Sequence, residues 1–310
     1  MAHSVSGVWV PALTPFDHEL EPEAGRFIAY CHWLLERGAD GLAVFGTTSE
    51  ATSLSLAERQ ALLEKLIEAG IPAGKLLPGT GLPALPETVA LTRHAVTQGC
   101  SGVLMLPPFY YKNLSDDALA EAYGATIDRV GDSRLKLYLY HIPQMSGVPI
   151  TLGVIERLLR RYPQTVVGIK DSSGNWENTK AVLKNFPQLA TFPATEARLF
   201  EGMALGAAGC ISASANMNIA MIRQLIGAIR ANDKSAEAKQ QTVSAIRQVM
   251  EKVPVIAAMK ALYARSSGAA GWAVVRPPLT AFSGTALAAM IADLERAGFN
   301  ALAALKGLPG

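Results

Sequence analysis

The chain has 310 residues, of which 50% are hydrophobic and 17% are charged, and its net charge is +2. This composition supplies a large core and lacks the charge excess that is typical of disordered chains. The balanced charge, with no run of Lys and Arg, argues against a nucleic-acid partner.

The amino-terminal segment MAHSVSGVWVPALTPF has no basic region followed by an apolar core. No apolar run in the chain reaches about 18 residues without Gly, Pro or a charge, so we expect neither export nor membrane insertion. Cys31, Cys100 and Cys210 form no CxxC pair. Their spacing argues against a disulfide framework and a zinc site, and it fits a cytoplasmic location.

Short apolar segments recur along the chain, with amphipathic stretches between them. The predicted strands are residues 7–13, 41–47, 75–81, 102–107, 136–142, 166–172, 190–195 and 209–215. Their apolar character is continuous rather than alternating, which indicates burial on both faces, as in a parallel sheet covered by helices. Eight strands of this kind predict an α/β fold, the TIM (β/α)8 barrel.

The intervening segments favour helices. Residues 55–70 carry leucines at helical spacing and end at Gly70, and the helix after Thr151 is predicted to be capped by that residue. Residues 218–265 and 284–305 are helical in pattern with no strand between them.

We therefore predict a barrel over residues 1–217 and a C-terminal helical extension over residues 218–310. The extension is predicted either to pack beside the barrel or to form a subunit interface.

The segment VVGIKDSSGNW places Lys170 at the carboxyl end of a predicted buried strand. Functional residues of such barrels gather at this end of the strands. A low-dielectric interior disfavours the charged form of an amine and so raises the fraction able to attack a ketone. Two simpler interpretations stay open, in which the side chain reaches solvent or pairs with Asp171.

Hydroxyl groups follow neighbouring strands. The segment GTTSE, residues 46–50, puts Thr47 and Thr48 on a turn whose hydroxyl and N–H groups could hold a carboxylate. Tyr140 ends another strand, where its phenol could move protons or simply pack. A carboxylate cradle, an amine and a proton relay together describe a site for a 2-oxo acid such as pyruvate.

Two further strand-end residues allow alternatives. Ser172 could contact a bound 2-oxo acid or cap the next turn, and His141 could line the pocket or bond to the backbone.

Four segments, GTTSE, YHIPQMSG at 140–147, GIKDSSG at 168–174 and GCISASAN at 209–216, resemble the dihydrodipicolinate synthase and N-acetylneuraminate lyase family in order and spacing. The resemblance implies that Lys170 forms a Schiff base with pyruvate and that Tyr140 is the proton-transfer phenol.

The resemblance also implies that Thr47 and Thr48 bind the pyruvate carboxylate, with the Thr48 hydroxyl linking Tyr140 into the relay. It further implies that Ile211 contacts pyruvate through its backbone. Tyr110 would be lent across a subunit interface within a homotetramer built from two tight dimers, and no metal or organic cofactor is implied.

Two positions bear on the second substrate. Glu196 matches a region where N-acetylneuraminate lyases bind sugar hydroxyls, or it is a carboxylate favoured by a helix dipole. Met145 stands where dihydrodipicolinate synthases carry an arginine that binds the carboxylate of the aldehyde. A thioether cannot make that bidentate contact.

The predicted function is therefore a pyruvate-dependent class I aldolase that cleaves a 2-oxo acid of the 2-keto-3-deoxy sugar acid or 4-hydroxy-2-oxoglutarate type to pyruvate and an aldehyde. Dihydrodipicolinate synthase activity, or a dehydratase using the same imine, is the alternative.

Two rival classes make different demands on the sequence. A metal-dependent aldolase needs clustered ligands for its ion, and activity that survives EDTA would exclude this class. The histidines of this chain are scattered. They are His3, His18, His32, His94 and His141. A sensor that binds a 2-oxo acid without turnover would have no need of a proton relay, whereas Lys170, Tyr140, Thr48 and Tyr110 are all present.

Overall fold

Parallel strands form the centre of the chain in its computed structural model, which describes residues 5–310. The described strands are β1 (Gly7–Val10), β2 (Gly41–Leu42), β3 (Val103–Met105), β4 (Leu137–His141), β5 (Val166–Asp171), β6 (Ala190–Pro193) and β7 (Gly209–Ile211). They pair in the orders β2-β1-β7 and β3-β4-β5-β6, and every pairing between them is parallel.

The segment 75–81 joins the two groups of strands. It makes two isolated parallel bridges, from Leu76 to Leu42 and from Gly79 to Leu104. On the opposite side, the N–H of Ala208 donates to the carbonyl of Thr191 at 3.0 Å. The ring is thereby closed, and the predicted (β/α)8 barrel is confirmed.

The third predicted strand is the one that departs from a regular ladder. Pro78 lies in its middle and lacks the N–H that a ladder bond needs. Gly79 follows, and a side-chain carbon there would lie 2.1 Å from the carbonyl oxygen of Phe45. The segment therefore crosses its neighbours closely but pairs with them at single points.

Large side chains fill the inside of the ring, so the barrel is a packed core and not a pore. The buried interior residues include Trp9, Ala43, Leu77, Leu104, Tyr138, Tyr140, Ala190, Phe192, Ala208 and Ile211. Gly168 makes room for this packing because a side-chain carbon there would lie 2.3 Å from the ring of Tyr138.

Helices cover the outer surface of the barrel. The described helices are α1 (Ala24–Glu36), α2 (Leu56–Glu68), α3 (Leu85–Thr97), α4 (Asp116–Val130), α5 (Pro143–Ser146), α6 (Leu152–Arg161), α7 (Trp176–Asn185), α8 (Leu199–Ala204), α9 (Ala215–Arg230), α10 (Ala236–Met250), α11 (Val255–Ser267), α12 (Gly284–Arg296) and α13 (Ala301–Ala304). Short 3-10 turns are Thr47–Ser49, Ala51–Ser53, Ala73–Lys75, Glu196–Arg198 and Ala270–Ala273.

The helix starts follow from local sequence. Ser55 caps α2 with its hydroxyl, and the Glu58 carboxylate accepts from the Ser55 N–H in return, which completes a capping box. Thr151 caps α6 as predicted, accepting from the N–H of Val154 at 3.2 Å.

The C-terminal helices contact the barrel directly. Tyr263 on α11 donates to the carbonyl of Asn216 at 2.5 Å, and Gln240 on α10 donates to the carbonyl of Glu196 at 2.9 Å. The extension thus packs beside the barrel. The division of the chain at residue 217 stays a prediction, and α9 runs across that position. No helix within residues 5–310 is long and apolar enough to cross a membrane.

Candidate active site

Lys170 and Tyr140 meet inside the carboxyl-terminal mouth of the barrel. They occupy the same register position on the adjacent strands β5 and β4, so both side chains point inward. The Lys170 amine donates to the Tyr140 phenol oxygen at 3.3 Å. Lys170 is 4% exposed and Tyr140 is 3% exposed, so the amine is shielded from bulk water.

Asp171 takes no part in this contact. As the next residue along β5, it points to the opposite face of the sheet, toward α7. Its carboxylate accepts from the Ser173 N–H at 2.9 Å, the Asn178 amide at 2.9 Å and the Thr179 hydroxyl at 2.8 Å. The interpretations in which Lys170 reaches solvent or pairs with Asp171 are therefore wrong.

The turn that carries the two threonines lies against the phenol. The Thr47 hydroxyl is 3.0 Å from the Tyr140 phenol oxygen. The expectation was that Thr48 makes that contact, and the structure corrects it to Thr47. Successive residues of a 3-10 turn point in directions about 120° apart, so the two threonines face different neighbours. Thr48 is nevertheless buried, and it directly follows Thr47 in the turn.

The same turn leaves backbone groups available at its start. Its own hydrogen bonds begin with the N–H of Ser49 donating to the carbonyl of Gly46 at 3.1 Å and the N–H of Glu50 donating to Thr47 at 3.0 Å. The N–H groups of Thr47 and Thr48 precede those bonds. N–H groups at the start of such a turn suit a carboxylate ligand.

Ser172 and Ile211 occupy the same end of the barrel. Ser172 follows Lys170 by two residues, and its hydroxyl is buried without a hydrogen-bond partner in the described part of the chain. Ile211 ends β7 and is fully buried among the interior residues.

His141 bonds to the backbone, which was one of its two predicted roles. The N–H of Ile150 donates to its Nδ1 at 3.0 Å, so that nitrogen carries no proton. The ring is 4% exposed, and burial lowers the pKa of His141 while the charge of Asp171 opposes that effect.

Glu196 is buried rather than open to the mouth. Its carboxylate accepts hydrogen bonds from the hydroxyls of Ser212 and Ser214, and the Asn218 amide donates to it at 3.4 Å. The Ser212 hydroxyl also accepts from the Arg247 guanidinium at 3.2 Å. The hydroxyls of Ser212 and Ser214 already engage both carboxylate oxygens. Contact between Glu196 and a substrate hydroxyl stays a prediction.

Tyr110 and Met145 are on the surface. Tyr110 is 74% exposed, and its ring packs edge to face on Tyr111 at 5.4 Å between centroids. Met145 lies on α5 and is 68% exposed. Within residues 5–310 of the single chain, Tyr110 does not contact Tyr140. The prediction that Tyr110 completes the site of a neighbouring subunit is not tested by one chain.

Residues 5–310 contain no group of three or more His, Cys, Asp and Glu side chains placed to hold a metal ion. His94 faces Glu64 at 2.8 Å on the surface, and His141 faces the backbone. His3 lies outside the described residues.

A buried ion pair beside the threonine turn was not predicted. Lys260 on α11 contacts the carboxylate of Glu50, and both side chains are 0% exposed. Its sequence signal was available, because Lys260 lies within the apolar run VIAAMKALY and on the same side of the helix as the buried Tyr263.

Comparison with known proteins identifies the family to which the chain belongs. The sequence profile of the dihydrodipicolinate synthetase family matches residues 4–297. A protein of Chloroflexus aurantiacus named as an uncharacterized DapA-like lyase is 34% identical over 292 residues, covering 94% of this chain and 96% of that one. A 4-hydroxy-tetrahydrodipicolinate synthase of Kineococcus radiotolerans is 31% identical over 288 residues, covering 92% of this chain and 91% of that one.

A solved structure gives the same result at the level of the fold. The crystal structure of dihydrodipicolinate synthase from Agrobacterium tumefaciens superposes with a TM-score of 0.85 at 30% identity, covering 94% of this chain and 99% of that one. The family match spans nearly the whole described barrel together with most of the helical extension. The chain therefore belongs to the dihydrodipicolinate synthetase family and is an enzyme, a lyase of the class I aldolase type.

Proposed function

We propose that this enzyme is a pyruvate-dependent aldolase that reversibly cleaves a 2-oxo acid of the 2-keto-3-deoxy sugar acid or 4-hydroxy-2-oxoglutarate type. The observation that supports this most is the buried Lys170 amine 3.3 Å from the Tyr140 phenol, which lies 3.0 Å from the Thr47 hydroxyl. A nucleophile beside a proton-transfer group that a third residue orients is the arrangement covalent catalysis requires.

The chemistry follows from these positions. The free Lys170 amine attacks the C2 carbonyl of the 2-oxo acid, and loss of water gives a protonated imine. Removal of the proton from the C4 hydroxyl breaks the C3–C4 bond, the electron pair moves into the imine, and the aldehyde leaves. The resulting enamine takes a proton at C3, and water then releases pyruvate and restores the amine. Tyr140 is the group placed to carry these protons, with its phenol held by Thr47.

The carboxylate of the 2-oxo acid has a place beside the imine. Thr47 and Thr48 offer the free N–H groups and hydroxyls of their turn, which can hold a carboxylate without a full positive charge. Ile211 offers its backbone at the end of β7, and the unpartnered hydroxyl of Ser172 is available to the substrate.

The aldehyde is where a second function competes. The Kineococcus and Agrobacterium relatives are named as synthases, which favours synthase activity with a carboxylate-bearing aldehyde. Met145 argues for a different acceptor, because its exposed thioether offers no cation to a second carboxylate. A hydroxylated aldehyde without that carboxylate fits the position better.

The active enzyme is proposed to be a homotetramer of two tight dimers. Tyr110 and Tyr111 expose 74% and 73% of their surfaces on the single chain, which is unusual for residues of this size. The loop that carries these rings follows the carboxyl end of β3, on the side of the barrel mouth, and a second copy packed there would cover them.

Reductive trapping tests the covalent step. Borohydride added with pyruvate should leave a three-carbon adduct on Lys170, located by peptide mass spectrometry, whereas Lys170→Arg should give none. An unmodified Lys170 in the wild-type enzyme would contradict the proposal. A panel that compares pyruvate release from several 2-keto-3-deoxy acids with condensation of pyruvate and aspartate semialdehyde then separates aldolase from synthase.

A further inference from the structure

The helical extension contributes one buried lysine side chain beside the threonine turn. Lys260 on α11 is fully buried, with its amine in ion contact with Glu50 and 2.8 Å from the carbonyl of Val274. The ring of Phe16 lies below the amine, with its centroid 4.3 Å away. Arg276 adds its backbone N–H, which donates to the other Glu50 oxygen at 3.0 Å.

Glu50 is held in an uncommon backbone conformation. Its φ is 56°, in the left-handed region that residues with a side chain rarely adopt, and it persists where surrounding contacts impose it. Lys260 contacts one of its carboxylate oxygens, and the Arg276 N–H donates to the other. On its other side, the Ser49 hydroxyl donates to Ala12 at 2.6 Å, and the Thr14 hydroxyl donates to the Ser49 carbonyl at 2.8 Å.

Glu50 is hydrogen-bonded directly to Thr47. The N–H of Glu50 donates to the carbonyl of Thr47 at 3.0 Å, and this bond closes the turn. Thr47 in turn places its hydroxyl 3.0 Å from the phenol of Tyr140.

Stability alone does not account for the pair. A buried ion pair contributes little net stability, and replacing both partners with neutral groups is often tolerated. Burial lowers the pKa of Lys260 to about 8, while the charge of Glu50 opposes that effect and the nearby Arg276 adds to it. The charged pair thus has an energetic cost that a merely structural contact would not require.

We propose that Lys260 and Glu50 are positioning residues that hold the 46–50 turn so that Thr47 can orient the Tyr140 phenol. The inference rests on the proposed function, because it assigns a purpose to the Thr47–Tyr140 contact. It links the helical extension to the chemistry of the barrel without any direct contact between the extension and the substrate.

A double-mutant cycle tests the proposal. The double variant Lys260→Met with Glu50→Gln removes both charges together, so neither is left buried and unpaired, and the new amide retains an oxygen for the Arg276 N–H. We expect this variant to fold, to form the borohydride-trapped pyruvate adduct on Lys170, and to lose about 10-fold or more in kcat. Thr47→Val should lower kcat substantially in the wild-type background and hardly at all in the double variant, since both changes act through one contact.

Tyr263→Phe is the matched control on the same helix. It deletes a buried hydroxyl that bonds to Asn216 and not to the 46–50 turn. Thr47→Val should therefore have its full effect in the Tyr263→Phe background. If the double variant does not fold, Glu50→Asp, which keeps the charge pair but shortens the side chain that holds the turn, carries the same cycle.

Equal effects of Thr47→Val in the wild-type and double-variant backgrounds would overturn the positioning role while leaving the proposed function intact. Failure of the wild-type enzyme to trap pyruvate on Lys170 would instead overturn the proposed function itself. The two failures are therefore distinct.

Discussion

Lys170 and Tyr140 lie side by side at one register position of two adjacent parallel strands, with the amine 3.3 Å from the phenol oxygen. The backbone pairing itself sets this relationship, because neighbouring residues in register point to the same face of the sheet. A site built on strands is held more rigidly than one built on loops. The amine and the phenol are consequently in contact before any substrate arrives.

Tyr140→Phe tests the phenol as the proton carrier. The variant keeps the ring that packs inside the barrel and removes only the hydroxyl, so the fold and pyruvate binding should be retained. Turnover should fall by about 100-fold, the size of effect typical of a lost general acid-base group. Steady-state cleavage rates measured beside isothermal titration with pyruvate check this, and unchanged rates would refute the role.

Thr47→Val and Thr48→Val should separate two roles of the turn. Thr47 contacts the phenol at 3.0 Å, so its variant should lower kcat by about 10- to 100-fold. Thr48 is expected to act on the pyruvate carboxylate, so its variant should raise KM for pyruvate with a smaller change in kcat. Initial rates over a pyruvate series in the condensation direction measure both constants. A larger loss of kcat in Thr48→Val than in Thr47→Val would instead assign the contact with the phenol during catalysis to Thr48.

The sequence predicts the barrel and the lysine at its mouth because both depend on local patterns. Buried strands with continuous apolar character and a lysine at a strand end are visible in short segments. The identity of the threonine that meets Tyr140 is not, because it depends on the rotation of a single turn. The pattern around Lys260 marks it as a buried lysine, but it does not identify Glu50 as its partner, since the two residues are far apart in the chain and meet only once the extension has packed.

Met145→Arg should create a site for a second carboxylate. The exposed position on α5 can accept a long side chain without disturbing the core. A hydrogen-bonded charged pair contributes about 1.5–3 kcal/mol, so kcat/KM for aspartate semialdehyde should rise by about 10-fold or more. Met145→Leu is the neutral control and should leave that constant unchanged. Robust condensation by the wild-type enzyme would show that another residue already supplies the cation.

Tyr110 should act in the site of a neighbouring subunit. Tyr110→Phe and Lys170→Arg are each expected to be nearly inactive, and Tyr111→Phe is the matched control that should stay active. Mixing the two inactive variants after subunit exchange should restore activity, because some sites then combine an intact Lys170 with an intact Tyr110 from the partner. Random pairing within twofold dimers predicts activity in about a quarter of sites. Absence of complementation in mixed oligomers would place Tyr110 outside the relay.

His141 should make the folded state sensitive to acid. Its Nδ1 accepts the Ile150 N–H at 3.0 Å, which only an unprotonated nitrogen can do, and burial lowers the pKa of the ring against the opposing charge of Asp171. Because the folded-state pKa lies below the unfolded value of about 6.5, the unfolded chain binds more protons just below that pH. The stabilisation is therefore complete above about pH 6.5 and is lost as the pH falls toward the lower folded-state value.

His141→Asn should remove this part of the pH dependence, because an amide oxygen can accept the Ile150 N–H without taking up a proton. The free energy of unfolding in urea, measured at about pH 7.5 and about pH 5.5, should fall less in this variant than in the wild type. His94→Asn is the control, since His94 faces Glu64 on the surface and its loss should leave the buried contribution in place. An equal fall in the His141→Asn variant and the wild type would mean that other groups, and not the buried imidazole, bind the proton on unfolding.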